Sequence, residues 1–301
     1  MKPDRVIWPD TKERPKTLYL LEGLRRMGIE IVKSKHWIKK LKPRSNARGP
    51  YVYPIEFQYG TKKPLILYDI NTVPRMFFRN LMAPGRFYFK THLHLKDRHK
   101  FSRLFVAPNS PSDHELFLQH LDALRIIKDK RKYDFDFLFL GWHDDNGLRM
   151  RCVKAALAQK WDSYAGLMPF KHHTTVPEKL KMGRLPYINH LTFQTKTRLN
   201  LALPGGRQLP YCSFRHVELW GMGAAVLTVK PDAVLPGDPD GCWIEFKRDM
   251  SDFTDVVNYY IRHDSEREAV ARKGRVYFDE YLAPEANARY ICKIIHERIM
   301  Q

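Results

Sequence analysis

The residues best suited to chemistry lie in the C-terminal half, in the stretch KTRLNLALPGGRQLPYCSFRHVELWGMGAAVLT. An apolar strand is predicted to lead into a glycine loop, after which Ser213, Phe214 and Arg215 open a helix. A helix N-terminus offers free N–H groups and the positive end of its dipole to phosphate. Arg215 in the first turn can add a bidentate contact to a diphosphate, and Glu218, on the same face, can accept hydrogen bonds from a ribose diol. An ordinary helix cap with an Arg215–Glu218 surface ion pair explains the same residues equally well.

Several common catalytic patterns do not occur in the sequence. It has no GxxxxGK[ST] phosphate loop, no GxGxxG fingerprint, no HExxH and no GxSxG elbow, which excludes the commonest nucleotide-binding, metalloprotease and esterase classes. The four cysteines are far apart and form no CxxC pair. They are predicted to be buried, reduced thiols of a cytoplasmic protein.

The charge of the chain is concentrated in its first half. Residues 1–131 hold 28 Lys and Arg against 12 Asp and Glu, whereas residues 132–301 hold 24 against 21. Such a field attracts anionic partners, and a phosphate-rich polymer, an acidic glycan and an anionic lipid surface all fit it. A solubilising surface without a partner is the alternative, and an imbalance confined to one half favours a partner.

Alternating strand and helix patterns must position these residues. Short apolar runs predict strands at 5–8, 29–33, 64–69, 86–90, 103–106, 135–141, 162–167, 195–203 and 224–229. Helical spacing predicts helices at 17–27, 74–82, 113–127, 149–159, 214–222, 252–263, 265–275 and 284–300. Residues 33–63 are predicted as an exposed, irregular loop because of their prolines and glycines. The alternation predicts parallel sheets covered by helices.

A composition break at KDKRKYD, residues 128–134, divides the chain into predicted domains 1–131 and 132–301. We expect two α/β domains with a cleft between them, and ligands in such sheets bind outside the carboxyl ends of the strands. No apolar stretch approaches the roughly 18 residues of a membrane span. The start, MKPDRVIWPD, lacks the apolar region of a signal peptide. The sequence therefore predicts a cytoplasmic protein without a transmembrane segment.

The stretch SFRHVELWGMGAAVLT resembles the nucleotide-binding segment of GT-B glycosyltransferases, in which a ribose-binding Glu is followed five residues on by Gly. Glu218 and Gly223 have that spacing. Together with DMSDFTDVVNYYIRHDSEREAVARKGRVYFDEYLAPE, the pattern resembles glycosyltransferase family 90, which includes capsule- and lipopolysaccharide-modifying proteins, and spore-maturation-type family 1 glycosyltransferases. The likeness covers about residues 133–300. It implies a GT-B fold, with two Rossmann-like domains facing across a cleft.

The resemblance also implies roles. Residues 132–301 would bind the nucleotide-sugar donor, with Arg215 on the diphosphate and Glu218 on the ribose. Lys196 would assist with phosphate, and Gly141, at the end of a strand, would let the donor approach the backbone closely. Ser213 and Phe214 complete the expected donor site. Residues 1–131 would bind the acceptor.

Metal-dependent glycosyltransferases carry a DxD pair at the end of a strand, and no acidic pair fits that position well. Asp134 and Asp136 precede their apolar run, and the pair in PGDPDG lies in a turn sequence. Asp69 follows a strand, but its partner position is Asn71. We expect no bound metal and no cofactor other than the nucleotide sugar, since basic side chains and a helix end neutralise the leaving diphosphate in GT-B enzymes.

An inverting transfer needs a base that takes the proton of the acceptor hydroxyl. Asp69 is the candidate, because PLILYD places it at the carboxyl end of a buried strand. His92 and His94 are alternatives with a pKa nearer neutrality. Asp69 as a cap of the following turn is an equally good explanation, and a retaining enzyme needs no such base.

The sequence therefore predicts transfer of a hexose or pentose from a UDP-linked nucleotide-sugar donor to a hydroxyl of an anionic acceptor. A bacterial envelope glycan or lipopolysaccharide at the inner membrane face is the first acceptor considered. A phage-type DNA glycosyltransferase acting on a hydroxymethylated base is the alternative. A non-catalytic nucleic-acid-binding protein is the alternative from another class, although no nucleic-acid-binding motif is recognised.

Overall fold

The structure is a computed structural model that describes residues 2–11, 13–35, 52–70, 86–91, 93, 97, 102–142, 147–169, 176–203 and 212–300. The chain forms two compact units. The first comprises Met1–Ser110, Ala233–Asp238 and Glu280–Gln301, and the second comprises Pro111–Asp232 and Pro239–Asp279. Each unit contains one sheet with helices packed on it. The α/β fold class with two sheet-containing units is confirmed.

The first unit is built on a six-stranded sheet in the order β2-β1-β3-β4-β5-β6. Its strands are β1 (Arg5–Pro9), β2 (Glu30–Ser34), β3 (Val52–Gln58), β4 (Leu65–Asp69), β5 (Arg86–Lys90) and β6 (Leu104–Val106). The helices α1 (Pro15–Arg26) and α8 (Pro284–Met300) pack against each other in this unit. Gly23 permits their close contact, because a Cβ there would lie 1.9 Å from the carbonyl oxygen of Pro284.

β3 corrects the sequence prediction for residues 33–63. It is a strand in the middle of the sheet, antiparallel to both β1 and β4, so the first sheet is mixed rather than parallel. Tyr53, Ile55 and Phe57 alternate along β3 and are fully buried in the core beneath α1 and α8. The prolines around the strand obscured it in the sequence, although Pro54 pairs in register with Leu67.

The second unit is built on a five-stranded sheet in the order β11-β10-β9-β7-β8, in which every pair is parallel. Its strands are β7 (Phe135–Trp142), β8 (Ser163–Met168), β9 (Thr197–Leu201), β10 (Val226–Thr228) and β11 (Ile244–Glu245). Its helices are α2 (His114–Asp129), α3 (Leu148–Leu157), α4 (Tyr187–Thr195), α5 (Phe214–Met222), α6 (Phe253–Arg262) and α7 (Asp264–Tyr277). In sequence order the strands are arranged 2-1-3-4-5, a doubly wound order whose switch point lies between β7 and β9.

The division by packing differs from the predicted boundary at residue 131. α2 belongs to the second unit, and α8 returns to the first. The charge break marks where the large excess of basic over acidic side chains ends along the chain, whereas the units are defined by which elements pack together. The first unit holds 27 Lys and Arg against 12 Asp and Glu, and the second holds 25 against 21. The predicted asymmetry of charge therefore follows the units. The structure describes no helix that is long and apolar enough to span a membrane.

Candidate functional site

The carboxyl edge of the second sheet is organised around its switch point. Arg149, in the first turn of α3, donates from Nη1 to the carbonyl of Trp142 and from Nη2 to the carbonyl of Leu203, each at 2.9 Å. Trp142 ends β7, and Leu203 lies two residues beyond the end of β9. A guanidinium thus bridges the two strand ends at the switch point, which is the place where such sheets bind ligands. Arg149 was not among the residues singled out in the sequence.

α5 begins at the same edge, because it follows β9 and leads back to the parallel strand β10. Ser213 and His216 form a reciprocal capping box. The Ser213 N–H donates to Nδ1 of His216 at 3.1 Å, so the ring proton is on Nε2, which lies 3.2 Å from Oγ1 of Thr228. Thr228 in turn donates to the carbonyl of Ala202 at 2.7 Å. This chain of bonds fixes the start of α5 to the ends of β9 and β10.

Burial lowers the pKa of His216 to about 3, so the imidazole is neutral and serves as a structural connector. The cap engages the N–H of the third helical residue, and the first-turn N–H groups of Phe214 and Arg215 have no intrahelical partner. The Phe214 side chain is 41% exposed, and the Arg215 guanidinium lies 5.3 Å from the centre of its ring. The start of α5 therefore combines a helix dipole, a cation and an exposed aromatic ring.

Glu218 is fully buried and accepts four hydrogen bonds. Its Oε1 receives the backbone N–H of Ser112 at 3.0 Å, the Ser112 hydroxyl at 2.8 Å and the Tyr187 hydroxyl at 2.7 Å. Its Oε2 receives Nη1 of Arg215 at 2.9 Å. Burial, and then Glu218, raise the pKa of Tyr187, so its hydroxyl remains a donor. Glu218 and Arg215 are brought together as the sequence indicated, but the carboxylate ties α5 to the start of α2 and of α4. The Glu218 side chain of this ion pair is fully buried and the Arg215 side chain is 19% exposed, so the pair is not an ordinary surface pair.

Gly141 lies next to the last residue of β7, on the same edge. A Cβ at this position would lie 2.7 Å from the ring of Phe139. The glycine is thus required by the buried Phe139 side chain of its own strand, and a close approach by a donor remains a prediction. The next residue, Trp142, is 42% exposed.

Lys196 is not brought to this edge. It directly precedes β9, so it lies at the amino edge of the sheet, where its Nζ pairs with Asp134 at 3.0 Å. Asp136, at the start of β7, pairs with Arg198 at 2.7 Å. The parallel direction of the strands therefore separates Lys196 from Arg215 by the length of β9. The same geometry places both aspartates at the amino end of their strand, as the sequence predicted.

Asp69 ends β4 in the first unit and is fully buried. Its Oδ2 accepts hydrogen bonds from the Tyr88 hydroxyl at 2.6 Å and from Nζ of Lys90 at 3.0 Å. A carboxylate held in this way is a counter-ion for a buried lysine, which supports a structural role more than a role as a base. The alternatives His92 and His94, and the position of Asn71, lie outside the described residues. Within the part of the chain that is described, no cluster of three or more His, Cys, Asp or Glu side chains suits a metal ion.

Residues 122–293 match the family described as glycosyl transferase-like. The match spans more than half of the chain and includes β7 to β11 and the whole of α5. The chain belongs to the glycosyl transferase-like family. Membership confirms the predicted glycosyltransferase at the level of the family. The finer likeness to family 90 or to spore-maturation-type proteins stays a prediction.

Among solved structures, the chain is similar to a glycosyltransferase from Rickettsia africae ESF-5. The two share 11% sequence identity with a TM-score of 0.45, over 93% of this chain and 87% of the other. A likeness of this size adds nothing to the family match. No curated protein shows significant sequence similarity to the chain.

Two residues of the candidate site escaped the sequence prediction. Arg149 lies two residues after Gly147, at the start of a predicted helix, and the only signal available was its position after a strand that ends near residue 141. His216 has the spacing of a capping box, but Glu or Gln is usual there. Both could have been found by asking which polar side chains begin helices at the carboxyl edge.

Proposed function

We propose that the chain transfers a sugar from a UDP-linked nucleotide sugar to a hydroxyl group of an anionic acceptor. The observation that carries this proposal is the convergence of Arg149, Arg215 and the N-terminus of α5 at the carboxyl edge of the second sheet. Doubly wound sheets bind nucleotides at this edge. The family match supplies the reaction class.

Departure of a nucleoside diphosphate places negative charge on its phosphate oxygens. Preorganised cations and helix N-terminal N–H groups stabilise such charge without reorganising. Arg215 is held in place by buried Glu218, and the start of α5 is held by His216. The exposed rings of Phe214 and Trp142 offer apolar surface for the nucleoside. This arrangement supports a donor site that needs no bound metal.

The acceptor is inferred from charge. The first unit carries a large excess of Lys and Arg, which concentrates anions near it. An acidic envelope glycan or lipopolysaccharide satisfies this condition, with the protein acting in the cytoplasm or at the inner membrane face. DNA carrying a hydroxymethylated base also satisfies it. A non-catalytic nucleic-acid-binding protein would use the same positive charge. The family match favours the glycosyltransferase over this alternative.

Labelled sugar nucleotides incubated with the protein, envelope extract and hydroxymethylated DNA test the proposal. We expect label to enter one acceptor fraction, UDP to be released in equal amount, and UDP to bind saturably in calorimetry. Saturable UDP binding without transfer to any acceptor would support the donor site but reject the proposed class of acceptor. Binding of DNA without any affinity for a nucleoside diphosphate would reject the enzyme in favour of the nucleic-acid-binding protein.

A further inference from the structure

α4 begins beside the proposed donor site. It directly precedes β9, so it runs towards the amino edge of the second sheet and its first turn lies at the carboxyl edge. Tyr187, the first residue of α4, and Arg215 of α5 bind the two oxygens of the same Glu218 carboxylate, at 2.7 and 2.9 Å. The starts of α4 and α5 are therefore held together through one side chain.

His190 lies one turn after Tyr187, on the buried face of α4. Residues three apart on a helix are neighbours on its surface, so His190 lies on the side of α4 from which Tyr187 reaches Glu218. The residue is only 6% exposed. Its Nε2 is buried, and within the part of the chain that the structure describes this atom has no hydrogen-bond partner. A buried donor or acceptor is thus left unpaired next to the start of α5.

His216, a buried histidine at the same edge, shows what a structural imidazole requires. Its Nδ1 accepts the Ser213 N–H at 3.1 Å, and its Nε2 lies 3.2 Å from Oγ1 of Thr228. Buried polar groups are nearly always paired in this way, and an unpaired one lowers stability. An apolar side chain of similar size would avoid that loss at position 190. A ligand that pairs with Nε2 accounts for the imidazole.

The charge of Arg215 acts on this ring. Burial, and then the positive charge of Arg215, lower the pKa of His190 to about 2, so the imidazole is neutral at pH 7. A neutral imidazole offers one N–H donor, and it adds no positive charge beside the guanidinium. It can therefore donate to an oxygen atom that Arg215 also binds, without repelling Arg215.

We propose that His190 binds the diphosphate of the donor, with its Nε2–H donating a hydrogen bond to a phosphate oxygen that Arg215 also binds. This inference rests on the proposed function for the donor, and it adds a side chain from α4 that contacts the same group. Ionised phosphate oxygens accept hydrogen bonds, so the proton of the bound imidazole is on Nε2. The first turns of α4 and α5 contain no acidic residue, so both helix dipoles favour negative charge there.

Calorimetric titration of the whole chain with UDP, with inorganic pyrophosphate and with uridine tests the proposal. His190→Leu removes the donor and keeps a side chain of similar size, and we expect it to weaken binding of UDP and of pyrophosphate about tenfold or more. Uridine, which has no phosphate, should bind this variant as it binds the wild type. The matched control is Asn189→Leu, at an exposed position on the same helix, and it should bind all three compounds as the wild type does.

Two further variants separate a direct contact from an effect on packing. His190→Gln can present an N–H close to the position of Nε2, and it should recover most of the UDP affinity that His190→Leu loses. The double variant His190→Leu, Arg215→Ala should bind UDP more weakly than Arg215→Ala alone, because a residue that only positions Arg215 has no effect once Arg215 is removed. Without UDP, His190→Leu should raise the free energy of unfolding, since it removes a buried, unpaired polar atom.

Three results would overturn the assignment of His190. They are unchanged affinity of His190→Leu for UDP and pyrophosphate, an equal loss of affinity for uridine, and a double variant that binds UDP as Arg215→Ala does. A wild-type chain that binds pyrophosphate but not UDP would instead reject the UDP-linked donor, and the comparison of variants would then be made with pyrophosphate. Binding of neither compound by the wild type would reject the donor site and His190 with it.

Discussion

Arg215 serves both the proposed donor site and the packing of the second unit. Arg215→Ala removes a charge-assisted contact to the diphosphate, and we expect the affinity for UDP to fall by about 1.5–3 kcal/mol. It also removes the cation that pairs with the fully buried Glu218 carboxylate, so a clear loss of thermal stability should accompany it. The control is Arg272→Ala, an exposed position on α7 of the same unit. UDP affinity unchanged in calorimetry would remove Arg215 from the donor site.

Asp69 tests whether a residue at a strand end is catalytic or structural. Asp69→Asn leaves the Lys90 ammonium buried without its carboxylate, and breaking a buried pair costs about 3–5 kcal/mol. We expect a large fall in the free energy of unfolding, and partial recovery in the double variant Asp69→Asn, Lys90→Met. The role of Asp69 as a base predicts something else, namely loss of turnover with stability and UDP affinity near wild type. Chemical denaturation and turnover, measured on the same variants, separate the two.

At the scale of elements, the start of α5 is held by a histidine that stays neutral. His216 has a pKa of about 3 in the folded chain and about 6.5 when unfolded. As the pH falls below about 6.5, the unfolded state binds a proton that the folded state does not, so stability is lost from there down towards pH 3. His216→Gln should be less stable than wild type at pH 7. The difference in the free energy of unfolding between wild type and His216→Gln should be smaller at pH 5 than at pH 7 by about 2 kcal/mol.

Urea denaturation at the two pH values measures this effect. His120→Gln, at a half-buried position on α2, is the matched control for replacing a histidine by glutamine. A difference for His216→Gln that is the same at pH 7 and pH 5 would show that the ring is not kept neutral by the fold.

At the scale of the whole molecule, the reaction should not depend on a metal ion. In the proposed donor site, the cations at the start of α5 and at Arg149 would neutralise a leaving diphosphate. We therefore expect transferase activity to survive treatment with EDTA. Complete loss of transferase activity with the chelator, and its recovery with manganese or magnesium, would instead indicate a metal site at Asp69 and Asn71. The control is an assay in which chelator and an excess of calcium are added together.

The sequence by itself determined most helices and strands of the fold. α5 occupies the predicted residues, and Gly223 ends it with a φ of 71°, which only a residue without a side chain adopts easily. β5 and α8 also have the predicted bounds. These features depend on local spacing, capping and apolar periodicity, all of which are determined by residues close together in the sequence.

Only the tertiary structure decided what each residue faces. Strand direction placed Lys196 at the amino edge and Arg215 at the carboxyl edge, though both flank the same strand–loop segment. Packing buried Asp69 and Glu218 and supplied their partners from distant positions, Lys90 and Ser112. It also paired β3 between β1 and β4. Such contacts join residues far apart in sequence, and their energies depend on burial and on pairing between strands, which no local pattern encodes.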